Sequence, residues 1–157
     1  MSKNHIECRI RVAVHSDIEP MVSLLKELFE IEGDFSPDAE AQRRGLKMIL
    51  DNSADAGIFV AEDNGEIVGM CALHRRISTF YGAEAGVVED LVVKKEFRGR
   101  GLGSLLLHAI ERHAQGKGFR HLQLLMDKEN RSAEMFYSGH GWKKTGLVCM
   151  RKNLGHD

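Results

Sequence analysis

The stretch "EDLVVKKEFRGRGLGSLLL", residues 89–107, restricts the fold more than any other part of this chain. It passes from a short apolar, β-branched run through glycines at 99, 101 and 103 into a block of leucines. The first run suits a strand, while Leu102, Leu105, Leu106, Ala109, Ile110 and His113 recur at helical spacing up to Gly116 and Gly118. The chain must therefore turn from strand to helix within a few residues. A helix start presents amide N–H groups without intrahelical partners and carries partial positive charge, so it suits an anion if the backbone can come close. Glycine allows that approach, and Arg98 and Arg100 add attraction. A solvated glycine-rich turn has the same composition, so the loop by itself leaves both readings open. Two familiar phosphate loops are excluded by spacing: the glycines alternate strictly, unlike Gly-x-Gly-x-x-Gly, and no lysine stands between Gly103 and Ser104.

The remaining elements follow from pattern. Cys8 to Val14 alternate as a strand, and Ser16 with Glu19 forms a capping-box pattern before a helix carrying Ile18, Met21, Leu25 and Leu28 on one face. "EGDFSPD" ends that helix, and a second is expected from Pro37 through Leu50. Asn64-Gly65, between two apolar runs, predicts a hairpin, and Glu84 to Val93 predicts a further strand. "FRHLQLLM" reads as a strand, Asn130 to Ser138 as a short helix and "GWKKTGLVCMRK" as a closing strand. The expected order is β-α-α-β-β-β-α-β-α-β: an α/β (α+β) chain with one mixed, mainly antiparallel sheet flanked by helices. At 157 residues, with no linker or repeat, it is expected to form one domain, residues 1–157.

Lysine and arginine number 22 against 23 acidic residues, so no overall field recruits nucleic acid or an anionic membrane. No segment has the apolar length of a signal peptide or spanning helix, and a cytoplasmic location is the expectation. Cys8, Cys71 and Cys149 form no Cys-x-x-Cys pair and read as buried reduced thiols. The histidines show no ligand spacing, so no metal is expected.

Arg98, Gly101 and Gly103 in Arg-x-x-Gly-x-Gly, after "EDLVV" and before an apolar helix, resemble the acetyl-CoA pyrophosphate loop of the GNAT superfamily of N-acetyltransferases. "NRSAEMFYSGHGW" is similar to that family's second signature, and the element order follows its fold over nearly the whole chain. The resemblance implies acetyl-CoA as co-substrate, its pyrophosphate held by the backbone of Arg98, Gly99, Arg100, Gly101, Leu102, Gly103 and Ser104. It also implies that the pantetheine arm pairs with Leu91, Val92 and Val93, where this strand diverges from the next. A thioester arm bonded like an added strand would be held in register.

On the short helix Asn130, Ala133 and Tyr137 fall at i, i+3 and i+7. By resemblance Asn130 and Ala133 meet the cofactor and Tyr137 protonates the departing thiolate. A thiol titrates near ~8.5 and a phenol near ~10, so a neighbouring phenol can pass it a proton. An amine acceptor must lose a proton to attack. Glu89 and Asp90 precede the loop, and strand alternation lets at most one face the cleft. Spacing does not choose between them; the resemblance favours Glu89 as base, and many family members use a water relay.

The family's acceptor cleft is lined by the loop between the first two helices, here "EIEGDFSPD". Glu30, Glu32, Asp34 and Asp38 around Phe35 would suit a cationic amine, although a solvated acidic loop has the same composition. "HRRISTFYG" adds arginines and aromatics that would equally suit an anionic group or a partner subunit. The expected activity is acetyl transfer from acetyl-CoA directly to a primary amine, of a small cationic molecule ahead of a protein N-terminus or lysine. A non-catalytic acyl-CoA binding or sensing module is the alternative. A homodimer is the state the resemblance implies.

Overall fold

Asn64 (φ 48°) and Gly65 (φ 83°) both adopt left-handed backbone, and the turn they make joins β2 (Ala56–Asp63) to β3 (Glu66–Ser78). The Asn-Gly pair predicts this hairpin because its twist matches that of the flanking strands. The computed structural model describes residues 8–33 and 36–155. β1 (Cys8–Val12) pairs antiparallel with β2, and β3 pairs antiparallel with β4 (Ala83–Val93). β5 (Leu122–Leu124) joins β4 in parallel, completing the sheet order β1-β2-β3-β4-β5. The sheet is thus mixed and mainly antiparallel, as expected. The helices are α1 (Ile18–Glu32), α2 (Ala39–Asp51), α3 (Leu102–Gly116) and α4 (Arg131–Gly139). Residues through Leu124 cluster as one compact unit and those from Leu125 as a second, smaller one. Among the described residues no helix is long and apolar enough to cross a membrane.

In the larger unit, strand alternation divides the apolar residues between two faces. Ile58, Val60, Met70, Ala72 and Val92 meet Met21, Leu24 and Leu25 of α1 and Leu46 of α2 in one core. Ile18 and Leu28 pack against it, so the expected α1 stripe is the buried one. The intervening positions face α3: a Cβ on Gly69 would stand 3.1 Å from Leu106. Phe59 meets the His113 ring edge-on at 5.4 Å. On α3 the buried residues are Leu102, Leu106, Leu107, Ala109, Ile110 and Ala114, while Leu105 is 45% exposed. The expected stripe is therefore displaced, with Leu107 taking the place given to Leu105.

Several local expectations are corrected. The Ser16/Glu19 capping box does not form, because the chain enters α1 through a 3-10 turn at His15–Asp17. The Asp17 carboxylate accepts the Val14 N–H at 2.8 Å, and Glu19 instead binds Arg43 of α2. Asp38, not Pro37, opens α2, its side chain accepting the Ala41 N–H at 3.0 Å. The closing strand is absent: residues 142–155 form no ladder. Lys143, Lys144 and Gly146 interrupt that segment, leaving only Leu147 to Met150 as an apolar run, and a strand exists only through its partners. Of the three cysteines only Cys71 is buried; Cys8 is intermediate and Cys149 exposed.

Arg11 of β1 grips Asp17 bidentately at 2.7 and 2.9 Å and reaches Glu62 of β2 at 2.6 Å. Arg11 holds the Asp17 carboxyl below its ordinary range. Asp17→Ala is expected to destabilise the fold by about 2 kcal/mol, because it leaves the part-buried Arg11 guanidinium with Glu62 alone and removes the acceptor of the Val14 N–H. Since the folded pKa is the lower one, this contribution is present above about pH 4 and is lost as pH falls through the acid range. Urea denaturation at neutral and acid pH should show the gap between wild type and variant narrowing.

Candidate active site

Strand β4 carries an irregularity at the point where the sequence places Glu89 and Asp90. Met70 opposes Val92 and Ala72 opposes Glu89, so Cys71 alone on β3 faces both Asp90 and Leu91 on β4. This is a β-bulge, with Asp90 in left-handed backbone at φ 55°. Aspartate tolerates that region better than most side chains, because its short polar group can bond locally. The Cys71 thiol donates weakly across the bulge to the Glu89 carbonyl at 3.8 Å. Burial pushes that thiol well above its ordinary range, so it is a poor nucleophile.

The bulge removes the alternation on which the choice between Glu89 and Asp90 depended. Glu89 opposes Ala72, on the sheet face covered by α1 and α2, and so shares that face with His74 two residues along β3. The His74 Nε2 lies 3.1 Å from the Glu89 carboxylate, at an angle too poor for a full hydrogen bond. The contact raises the His74 pKa and lowers that of Glu89. Asp90 is shifted the other way. Burial, then the charges of Glu89 and of Glu32 at the end of α1, push its carboxyl up to about 6, against a smaller opposing pull from His74. One imidazole and three carboxylates thus act on one another through a local bend of β4.

Past the bulge, the pairing of β4 on its other edge stops. Its ladder with β5 covers only Gly86 to Val88, so that edge of Leu91, Val92 and Val93 carries no strand among the described residues. A Cβ on Gly86 would stand 2.7 Å from the Leu122 and Leu73 side-chain ends, so the glycine leaves room for these two leucines against β4.

The chain then makes a 3-10 turn at Lys95–Phe97 and enters α3 through Gly99 and Gly101, both left-handed at φ 74° and 81°. A Cβ at either would meet no protein atom, so backbone conformation and not crowding requires the glycine. Gly101 is the N-cap and has no side chain to cap α3, and Leu105 N–H is bonded to its carbonyl at 3.1 Å. Leu102, Gly103 and Ser104 therefore form the helix's first turn, the part of a helix that presents its amides outward. Arg100 lies over the Phe97 ring at 5.0 Å, and Arg98 Nε donates to the Val93 carbonyl at 2.8 Å. Gly101→Ala is expected to cost about 1 kcal/mol. At this chain length that lowers the melting midpoint by about 2–4 °C, measurable by circular dichroism.

In the smaller unit Asn130 caps α4, its side-chain oxygen accepting the Ala133 N–H at 3.0 Å. Asn130 thus lies just outside the helix, and the pair that shares a helical face is Ala133 and Tyr137. Tyr137 sits between rings, its centroid 5.1 Å from Phe136 and 5.9 Å from Trp142, and its carbonyl accepts the Trp142 N–H at 3.0 Å. Glu30 is exposed near the end of α1, and Asp34 and Phe35 lie outside the described residues. Glu32, read from the sequence only as part of the acidic loop, acts on Asp90 of β4, whereas His74 was not singled out by spacing because it meets β4 only through strand pairing.

The sequence profile of the Acetyltransferase (GNAT) family matches residues 19–142. The chain belongs to this family. It is 31% identical over 140 residues to the aminoalkylphosphonate N-acetyltransferase of Salmonella typhimurium, covering 88% of this chain and 86% of that one. A possible acetyltransferase from Clostridium difficile 630 superposes with a TM-score of 0.85 at 17% identity, over 95% of this chain and 99% of that one. A predicted acetyltransferase from Clostridium acetobutylicum, solved with acetyl-CoA, superposes at 0.78 and 21% identity over 95% and 98%. The GNAT assignment makes the chain an acyltransferase of the N-acetyltransferase kind. The bulged strand and glycine loop both lie inside the matched span.

Proposed function

We propose that this GNAT enzyme uses acetyl-CoA to acetylate the primary amine of a small cationic molecule, without a covalent enzyme intermediate, and that its 157 residues act as one catalytic domain. The observation that carries the reading is the bulge, which sets Glu89, Asp90 and His74 together immediately before the glycine loop. The left-handed Gly99 and Gly101 and the first amides of α3 fit a pyrophosphate, and the unpaired edge of Leu91 to Val93 fits an extended amide-bearing arm. Bound there, acetyl-CoA supplies an acetyl thioester open to attack by an amine.

The residues divide the proton movements. Glu32, Glu89 and Asp90 draw a cationic acceptor, and Asp90 takes the proton the amine must lose. Its raised pKa makes it the better base, while Glu89, held by His74, keeps the pocket anionic. Tyr137 gives its phenolic proton to the coenzyme thiolate as the carbon–sulfur bond breaks, and water restores it. Direct transfer is supported by Cys71, whose burial leaves it unreactive.

A second acceptor reading, an amine bearing an anion, is favoured by the name of the Salmonella relative. Against it, Arg75 is engaged by Glu84 and Asp55, and Arg76 by Gln123. Calorimetric titration with acetyl-CoA and CoA, followed by thiol release over polyamines, amino sugars, aminoalkylphosphonates and lysine peptides, tests the reading. Turnover confined to cationic small amines supports it, and turnover of the phosphonates alone supports the second. Binding with no turnover on any amine would leave a sensing module, and no binding would overturn the loop assignment.

A further inference from the structure

Glu27 lies on α1, far in sequence from the glycine loop, between residues that fix its position. Leu24 and Leu25 are buried in the core and Leu28 packs against it, so the backbone beneath Glu27 has little freedom. Its side chain turns toward the segment between β4 and the loop. The Glu27 Oε2 accepts the Lys95 N–H at 3.2 Å and Arg98 Nη2 at 3.3 Å. Arg98 in turn donates from Nε to the Val93 carbonyl at 2.8 Å. One carboxylate therefore ties both ends of the 3-10 turn to a helix anchored in the core.

The turn is braced from the sheet as well. Lys94 N–H donates to the Val68 carbonyl at 2.8 Å, and the Lys94 ammonium pairs with Glu66. These contacts secure the residue before the turn, whereas Glu27 holds the turn itself from Lys95 to Arg98, one residue before Gly99. Gly99 and Gly101 bring conformational freedom to a backbone that must hold its amides in one arrangement. Such freedom costs entropy on binding unless a neighbour limits it beforehand.

We propose that Glu27 is a positioning residue for acetyl-CoA: by holding Lys95 N–H and Arg98, it presets the glycine loop that receives the pyrophosphate. The inference rests on the proposed binding of acetyl-CoA at that loop. Glu27 touches no reacting atom, so its removal weakens cofactor binding and leaves the chemical step alone. Arg98 accordingly has two tasks, one of which is to carry the restraint from α1 to the loop.

The test uses the full chain with Glu27→Ala, Glu27→Gln, Arg98→Ala and the Glu27→Ala/Arg98→Ala double variant. Calorimetry with CoA measures binding, and steady-state kinetics with a turned-over amine separate KM from kcat. Glu27→Ala should raise the CoA Kd and the acetyl-CoA KM about tenfold, and Glu27→Gln, which still accepts the Lys95 N–H, by about threefold. The amine KM and saturated kcat should stay within about twofold. In the Arg98→Ala background the Glu27→Ala effect should shrink, showing that the two act through one path. An unchanged CoA Kd in Glu27→Ala overturns the proposal, as does full additivity of the two substitutions. So does an equal loss in kcat and amine KM that follows the fall in thermal midpoint. A wild-type chain that binds no CoA overturns the functional reading first, and this inference with it.

Discussion

Asp90→Asn is expected to yield a more stable protein and a much poorer enzyme. Asparagine occupies left-handed backbone as readily as aspartate, so the bulge at φ 55° survives the change. The Asp90 carboxyl has its pKa raised from 3.8 to about 6 by burial and by Glu89 and Glu32. Between those values the folded chain holds a proton that the unfolded chain has lost, so stability falls as pH rises through that window. Above it the wild type contains an unfavourable charge, and the variant should gain about 1–2 kcal/mol at pH 7. Removing the base should lower kcat/KM about 100-fold or more. The wild-type profile should rise through about pH 6 as Asp90 ionises, and the variant should lack that limb. A limb that persists in Asp90→Asn but disappears in Glu89→Gln would transfer the role to Glu89. Persistence in both would favour a water relay with no dedicated side chain.

Tyr137→Phe should reduce kcat about 100-fold while leaving CoA binding within about twofold. Phenylalanine preserves the ring packing against Phe136 and Trp142 and removes the phenolic hydroxyl that supplies the proton. The deficit should shrink as pH rises past about 8.5, where a thiolate leaves without needing protonation. Rapid-quench or thiol-release rates across pH 6.5 to 9.5 would check this. Full activity at every pH would remove Tyr137 from the mechanism and leave it as a packing residue.

Much of the fold could be read along the chain because its determinants are local. Asn64-Gly65 specifies a turn through its own backbone preferences, and Gly101 likewise determines how α3 begins. The apolar period of α1 needs no knowledge of its partner, since the helix has only one apolar face. Expectations failed where a neighbour decided. Ser16 lost the α1 cap to an entry turn organised by Asp17, whose carboxylate is held by Arg11 on β1. The last apolar run needed a partner strand to become one itself.

The site divides along the same line. Sequence alone determined that a glycine loop follows an acidic strand end and that a tyrosine lies on a short helix, because these are consecutive residues obeying local rules. Only the tertiary structure decided how the acidic residues differ. The bulge sets Cys71 alone against Asp90 and Leu91, His74 reaches Glu89 from a neighbouring strand, and Glu32 and Glu27 act from α1. A pKa depends on every charge and apolar atom within a few ångströms, and those neighbours become neighbours only when the chain folds.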